Sequence, residues 1–347
     1  GAGQGMPEGI KEIDAASTGI TASGNSTRSV MTSILGRVFY SYDNRYLITA
    51  TIRRDGSSKF GKNNRYGNFP SVSVGWNVAE ESFIKGKVNW LDQLKLRGGY
   101  GVLGNQEISD YQYVSVVTTG INYPDGKSGL IKGAFPKTFA NPDIRWEETA
   151  MTNIGIDLMA LNNRLSLTAD WYVKNTKDIL LNVPIPISTG GANDPIRNAG
   201  KIQNTGVEFN LGWNDRISND LSYGLSFIGT YNKNEVKEMG SESQAITGGT
   251  IHGGTYTTKT IAGYPIGGFW LIKTDGYFNS VDEVNRHSKD GVLIQPSAEP
   301  GDVRFVDENG NGTIDDDDRV YCGSPFPKFT YAFNANVTYK NFDLSLG

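Results

Sequence analysis

The sequence predicts an all-β, antiparallel transmembrane β-barrel, seen as about ten strands with long loops at one end, and three observations carry that prediction. Apolar residues recur at every second position in ten separate stretches. The faces these residues form carry no charge. The connections between stretches alternate between short and long. Composition agrees, because 43 Gly and 30 Asn beside 17 Tyr, 15 Phe and 6 Trp favour strands and turns over helices.

The strands follow in order. Ile34, Val38, Tyr40 and Tyr42 share one face. After Asp43-Asn44-Arg45 that face continues through Tyr46, Ile48, Ala50 and Ile52, a tight hairpin. Val72, Val74, Trp76 and Val78 alternate with Ser71, Ser73, Gly75 and Asn77, and Leu94, Leu96, Tyr100 and Val102 alternate with Lys95, Arg97, Gly99 and Gly101. Ile154, Ile156 and Leu158 precede the turn at Asn162-Asn163. Leu165, Leu167, Ala169, Trp171 and Val173 follow it. Val207, Phe209, Leu211 and Trp213 pair across 214–220 with Leu221, Tyr223, Leu225 and Phe227. Phe329 to Tyr339 at odd numbers, then Phe342, Leu344 and Leu346, make the last two strands.

A soluble sandwich also excludes charge from its core, so the connections discriminate. Residues 43–45, 79–93, 160–163, 214–220 and 340–341 form one series, and 55–69, 103–147, 176–202 and 234–327 the other. Short turns at one end and long loops at the other belong to outer-membrane barrels, and strands of about 9 to 12 residues fit a tilted crossing of the hydrocarbon layer. Arg37, Arg53, Lys95, Arg97, Asp157, Asp170, Lys174, Glu208, Lys328 and Asp343 all fall on the opposite faces. A Lys or Arg facing lipid at the midplane costs about 2 to 4 kcal/mol. Tyr40, Tyr42, Tyr46, Trp213, Tyr339 and Phe342 lie where the apolar stretches end, as interface girdles require.

Other classes fare worse. Thirty-three basic against 37 acidic residues give a net charge of −4, unlike a dedicated nucleic-acid binder. One cysteine, Cys322, forms no internal disulfide, and two histidines, His252 and His287, do not make a His-rich centre. No run of 18 apolar residues makes a transmembrane helix, and the N-terminus shows no signal-peptide core. Residues 1–32 read as a lead-in segment and 33–347 as barrel. Glu147, Glu148, Asp170 and Glu208 read as polar lumen residues in preference to a glycosidase pair, so no enzyme is expected. Gly98-Gly99-Tyr100-Gly101 lies within a strand and is no phosphate loop. Tyr111, Tyr113, Tyr123, Phe269, Trp270 and Tyr277 sit in long loops, where they either meet a ligand or fill a loop core.

The sharpest motif is the twelve residues from Asp307 to Asp318. Oxygen donors Asp307, Asn309, Asn311, Asp315 and Asp318 fall at positions 1, 3, 5, 9 and 12, Gly312 sits at the sixth, and the Thr313 carbonyl stands at the seventh. This spacing wraps a hard cation such as calcium in a structural role, since six acidic residues in twelve repel until screened. Asp318 replaces the usual Glu with a shorter arm, which leaves magnesium or an ion-free Asn/Asp/Gly turn open. The flanks Phe305-Val306 and Val320-Tyr321 read as extended, so no EF-hand helices are expected.

Several segments in this order resemble the SusC/RagA family of TonB-linked outer-membrane proteins of Bacteroidota. They are Arg53-Arg54-Asp55-Gly56-Ser57-Ser58-Lys59-Phe60-Gly61, Phe69-Pro70-Ser71-Val72-Ser73-Val74-Gly75-Trp76, and Trp90-Leu91-Asp92-Gln93-Leu94-Lys95-Leu96-Arg97-Gly98-Gly99-Tyr100-Gly101 with Gly104-Asn105-Gln106. Trp146-Glu147-Glu148-Thr149, Asn153-Ile154-Gly155-Ile156-Asp157, Asn204-Thr205-Gly206-Val207-Glu208 and Pro300-Gly301-Asp302-Val303-Arg304-Phe305 continue the match. The resemblance implies a barrel of about 22 strands with an N-terminal plug, importing oligosaccharides or peptides with a SusD-like surface lipoprotein as partner and energy delivered through TonB. The plug and the TonB-contacting segment have no match in this chain, so ten strands are expected to leave a barrel unclosed. The competing expectation is a secreted or surface-attached β-structured binding protein stabilised by calcium.

Overall fold

The ten alternating stretches hydrogen-bond into one antiparallel sheet in which every strand lies beside its sequence neighbour. The structure is a computed structural model and describes residues 2–4, 18–21, 27–124, 126, 130–183, 188, 193–240, 245–248 and 256–347. The strands are β1 (Met31–Tyr42), β2 (Tyr46–Ser57), β3 (Tyr66–Asn77), β4 (Leu91–Asn105), β5 (Glu147–Ala160), β6 (Leu165–Lys177), β7 (Lys201–Arg216), β8 (Leu221–Glu238), β9 (Phe329–Tyr339) and β10 (Phe342–Leu346). Within the described residues, β1 and β10 are the two edges, so this sheet is a barrel wall that does not close on itself.

The apolar parity forms one exposed face. Ile34, Val38, Ile48, Val74, Ile154, Trp171, Leu211, Leu225, Phe333 and Leu344 are all open on it. An aqueous monomer does not leave an apolar surface of this extent uncovered, whereas a bilayer covers it. The register shows how the face is tilted. One row of outward partners runs from Tyr46 beside the first turn through Trp76, Leu96, Ile156, Ala169, Phe209 and Gly229 to Tyr331, near the loop end of β9. The turn end of β9 is Tyr339, four outward positions further on. This stagger is what strands inclined to a barrel axis require.

Strand pairing reaches further than the alternation suggested. β2 and β3 pair to the level of Gly56 and Tyr66, which cuts the expected loop 55–69 to residues 58–65. β8 runs to Glu238, although beyond Tyr231 its residues are Asn, Lys and Glu apart from the buried Val236, so that alternation no longer marks it. The long loops are folded. Val116–Pro124 pairs with Leu130–Thr138, Leu180–Asn182 pairs with Ile196–Asn198, and residues 246–323 build a four-stranded sheet of Ile246–Thr247, Thr258–Thr260, Gly268–Ile272 and Arg319–Gly323. The buried core lies at this end. Phe60, Phe69, Ile108, Ile144 and Trp146 cluster there, with Phe60 5.1 Å and Phe69 5.3 Å from the Trp146 ring, whose Nε1 donates to the Arg65 carbonyl. Val102, expected on the lipid face, packs against this cluster, to which Ile108, Ile144 and Trp146 come from the connection between β4 and β5.

Candidate functional site

Two parts of the molecule concentrate polar chemistry: the inward face of the wall and the acidic loop. On the inward face, Arg97 reaches over Gly155, its register partner on β5. Its Nε lies 2.8 Å from Asp157 Oδ2, and one terminal nitrogen lies 2.9 Å from Asp170 Oδ2 on the next strand. A Cβ on Gly155 would run into Asp170 Oδ1 and the Arg97 guanidinium, so the glycine is what lets one side chain bridge three strands. Gly206 plays the same part for Tyr172, whose hydroxyl crosses β7 and donates to Asn232 Oδ1 on β8 at 3.2 Å. Asn204 accepts from Asn234 at 2.9 Å beside it. The result is a wall of amides, hydroxyls and paired charges, suited to line a water-filled lumen or to hydrogen-bond whatever occupies it.

Three of the four carboxylates weighed as an acid/base pair have partners of their own. Glu147 accepts from Asn105 and from the Leu180 amide, Glu148 pairs with Lys177 at 3.0 Å, and Asp170 belongs to Arg97. Among the loop aromatics, Tyr113 joins the Phe60 cluster, and Trp270 packs 5.0 Å from Tyr264 and 6.2 Å from Tyr321. Tyr277 is open to solvent, and the Tyr123 side chain and His252 lie outside the described residues. His287 closes the helix Val281–Arg286 and stands edge-on to Phe278.

The acidic loop lies between the strand Val303–Phe305 and the strand Arg319–Gly323, with no flanking EF-hand helices. Its oxygens are turned inward onto its own amides. Asp307 accepts from Asn311 N and Gly312 N, Asn309 from Asn311 N, Asn311 from Thr313 N, and Asp315 from Asp317 N. Asp318 is fully buried. Its carboxylate takes the amides of Asp315, Glu308 and Asn309, which holds its pKa below the ordinary range, the Asp315 amide acting most. The Lys289 ammonium donates to the Gly310 carbonyl on the outer side. Among the described residues, no three His, Cys, Asp or Glu side chains converge as a metal centre of those groups alone would. A loop of the kind read here also draws on Asn oxygens and a backbone carbonyl.

At the opposite end, sequence reasoning missed a polar cluster. Glu81 is nearly buried, although it follows the strands in a short connection. Its Oε1 accepts from Tyr46 at 2.6 Å and from Trp76 Nε1 at 2.9 Å, and Oε2 faces Arg45 at 3.3 Å. The Tyr46 hydrogen bond, followed by that of Trp76, holds the Glu81 pKa below the usual carboxylate range. The girdle residues are thereby tied to the turns. Arg45 also lies over the Tyr42 and Tyr46 rings, at 6.0 and 5.9 Å.

Comparison with known proteins places this wall. The family model "TonB dependent receptor-like, beta-barrel" matches residues 11–347. The chain is 35% identical to the TonB-dependent receptor SusC of Bacteroides thetaiotaomicron over 92% of its length, covering 31% of that protein. It is 33% identical to the TonB-dependent receptor P39 of Formosa agariphila over 97% of its length, covering 33% of that protein. Among solved structures, that of the RagAB peptide transporter superposes with a TM-score of 0.76 at 26% identity, over 98% of this chain and 35% of the other. The chain thus spans about a third of the length of these relatives. With its lipid-facing apolar parity, staggered antiparallel register and SusC and RagAB likeness, the chain belongs to the TonB-dependent receptor β-barrel family, in its SusC/RagA branch, whose barrels lie in the outer membrane of Gram-negative bacteria.

Proposed function

We propose that the protein containing this wall imports oligosaccharides or peptides across the outer membrane, with a SusD-like surface lipoprotein as partner and TonB as the source of energy. The observation that carries this reading is the 35% identity to SusC over 92% of the chain. The polar inward face supports it, since hydrated cargo needs amide and hydroxyl partners along its path. The broadly exposed apolar parity leaves a secreted or surface-attached binding protein without support, because such a protein would expose that face to water. A strain lacking the full-length protein is expected to lose growth on, and uptake of, at least one defined oligosaccharide or peptide mixture. Uptake that persists unchanged in every mixture, or that ignores dissipation of the proton gradient, overturns the reading.

The acidic loop supports a second proposal, a structural calcium site. Asp307, Asn309, Asn311, the Thr313 carbonyl and Asp315 would supply the oxygens, with Asp318 as the twelfth-position residue. Because both Asp318 oxygens already accept amides, its main part would be to fix the loop's shape. Calorimetric titration of calcium into the full-length protein should give heat that disappears in the Asp307→Ala and Asp315→Ala double variant. No heat in the parent refutes the site, and equal response to magnesium removes the calcium assignment.

A further inference from the structure

The ladder between β8 and β9 leaves an opening in the wall. Tyr231 pairs with Phe329, and the Asn232 amide donates to the Lys328 carbonyl at 2.8 Å. The next backbone tie along that edge of β8 is Val236, whose amide donates to the Tyr264 carbonyl at 2.9 Å, with the Asn234 side chain accepting the Ile266 amide at 2.8 Å between them. Between the two ties lies a cavity of about 310 Å³, whose lining includes Lys233, Glu235 and Lys328 with Tyr231 and Phe326, and reaches the inward-facing Asn232 and Asn234.

Its position along the wall is set by register. Tyr231 and Phe329 form the last apolar outward pair, and Lys233 occupies the next outward position of β8. The opening therefore begins where the lipid-facing band gives way to charge, the level of lipid headgroups. Lys233 and Lys237 share one carboxylate, Glu235, at 2.9 and 2.6 Å. Lys328, which parity alone put on the lumen face, precedes β9 and lines the same opening as Lys233. It has no carboxylate within ion-pairing distance among the described residues, so the lining sets two ammonium groups against Glu235, a carboxylate already shared with Lys237. Beside them Phe326 is 60% exposed, and the rings of Phe227, Tyr331 and Phe329 follow one another down the outward face at 6.3 and 5.8 Å.

Excess positive charge calls for an anion, and a soluble anion has no use for the exposed rings below it. An amphiphile uses both. We propose that this opening holds the phosphate headgroup of a membrane lipid, with Lys233 and Lys328 facing the phosphate and an acyl chain lying along the Tyr231, Phe329 and Tyr331 rings. The proposal does not depend on the import reading.

The test is native mass spectrometry of the full-length protein in detergent, titrated separately with phosphatidylglycerol, phosphatidylcholine and inorganic phosphate. Phosphatidylglycerol should be retained in preference to phosphatidylcholine. The Lys233→Ala and Lys328→Ala double variant should bind it about 30-fold more weakly, as the loss of two lysines at a membrane surface implies. Lys62→Ala, an exposed lysine in the 58–65 connection, should bind like the parent. Heat-modifiable mobility checks that each variant is folded, and a Lys→Gln pair replaces the alanines if it is not. Equal retention of the two lipids, an unaffected double variant, or inorganic phosphate binding as tightly as the lipid overturns the proposal.

Discussion

Single residues decide how the inward face is built. Gly155 and Gly206 face the lumen, and each is a low point across which a long side chain from one strand reaches the strand beyond. Replacing Gly155 by Val would drive a side chain into Asp170 and Arg97. The expected cost is about 1 to 3 kcal/mol, as for overpacking elsewhere, read as a lower urea midpoint with unchanged slope. Glu81 makes the corresponding case at the turns. A carboxylate whose folded pKa is depressed contributes stability above its unfolded pKa, near 4.3, and loses it as the pH falls through the folded value. Glu81→Gln should therefore melt below the parent at pH 7, and the difference should shrink below about pH 4 and close as the pH falls through the folded value. A gap that persists once the pH is below the folded value would assign the effect to shape. Neither role is visible in sequence alone: Gly155 reads as one glycine among 43, and Glu81 gains its partners only when Tyr46 and Trp76 become neighbours in register.

Elements differ in how plainly the sequence marks them. Every strand of the wall was legible because one side of it meets lipid, which imposes period two on its residues. The loops hide their strands, since a short pair such as Leu180–Asn182 with Ile196–Asn198 has no single face to bury. The helix Val281–Arg286 did leave a signal, Ser280 followed three residues later by Glu283, and the Ser280 hydroxyl accepts the Glu283 amide. In the acidic loop the spacing of oxygen donors was legible, but the burial of Asp318 was not. Asp318→Ala frees three amides, so hydrogen exchange across 307–318 should accelerate roughly tenfold at pH 7. The depressed Asp318 pKa means that the parent loop keeps its protection down to about pH 4 and loses it as the pH falls through the folded value. Exchange rates that do not differ at pH 7 would show that the carboxylate does not organise the loop.

For the whole molecule, a sheet edge is decisive. A strand edge in lipid leaves amides and carbonyls without partners, and β1 and β10 each present one among the described residues. Residues 1–347 expressed alone in detergent should accordingly give no compact monomer with heat-modifiable mobility. A cooperatively melting monomer would show that β1 and β10 can find each other. The sequence by itself determined the strands, their lipid and lumen faces, the ends that carry turns and loops, and the spacing of the acidic loop, because solvent and lipid act on neighbouring residues at fixed intervals and the donor spacing is itself local. Tertiary structure alone decided the stagger that sets Tyr46 level with Tyr331, the bridge from Arg97 over Gly155 to Asp170, and the opening beside Lys233. Those depend on which residue of one strand lies opposite which residue of the next, and alternation is unchanged when a strand slips by two.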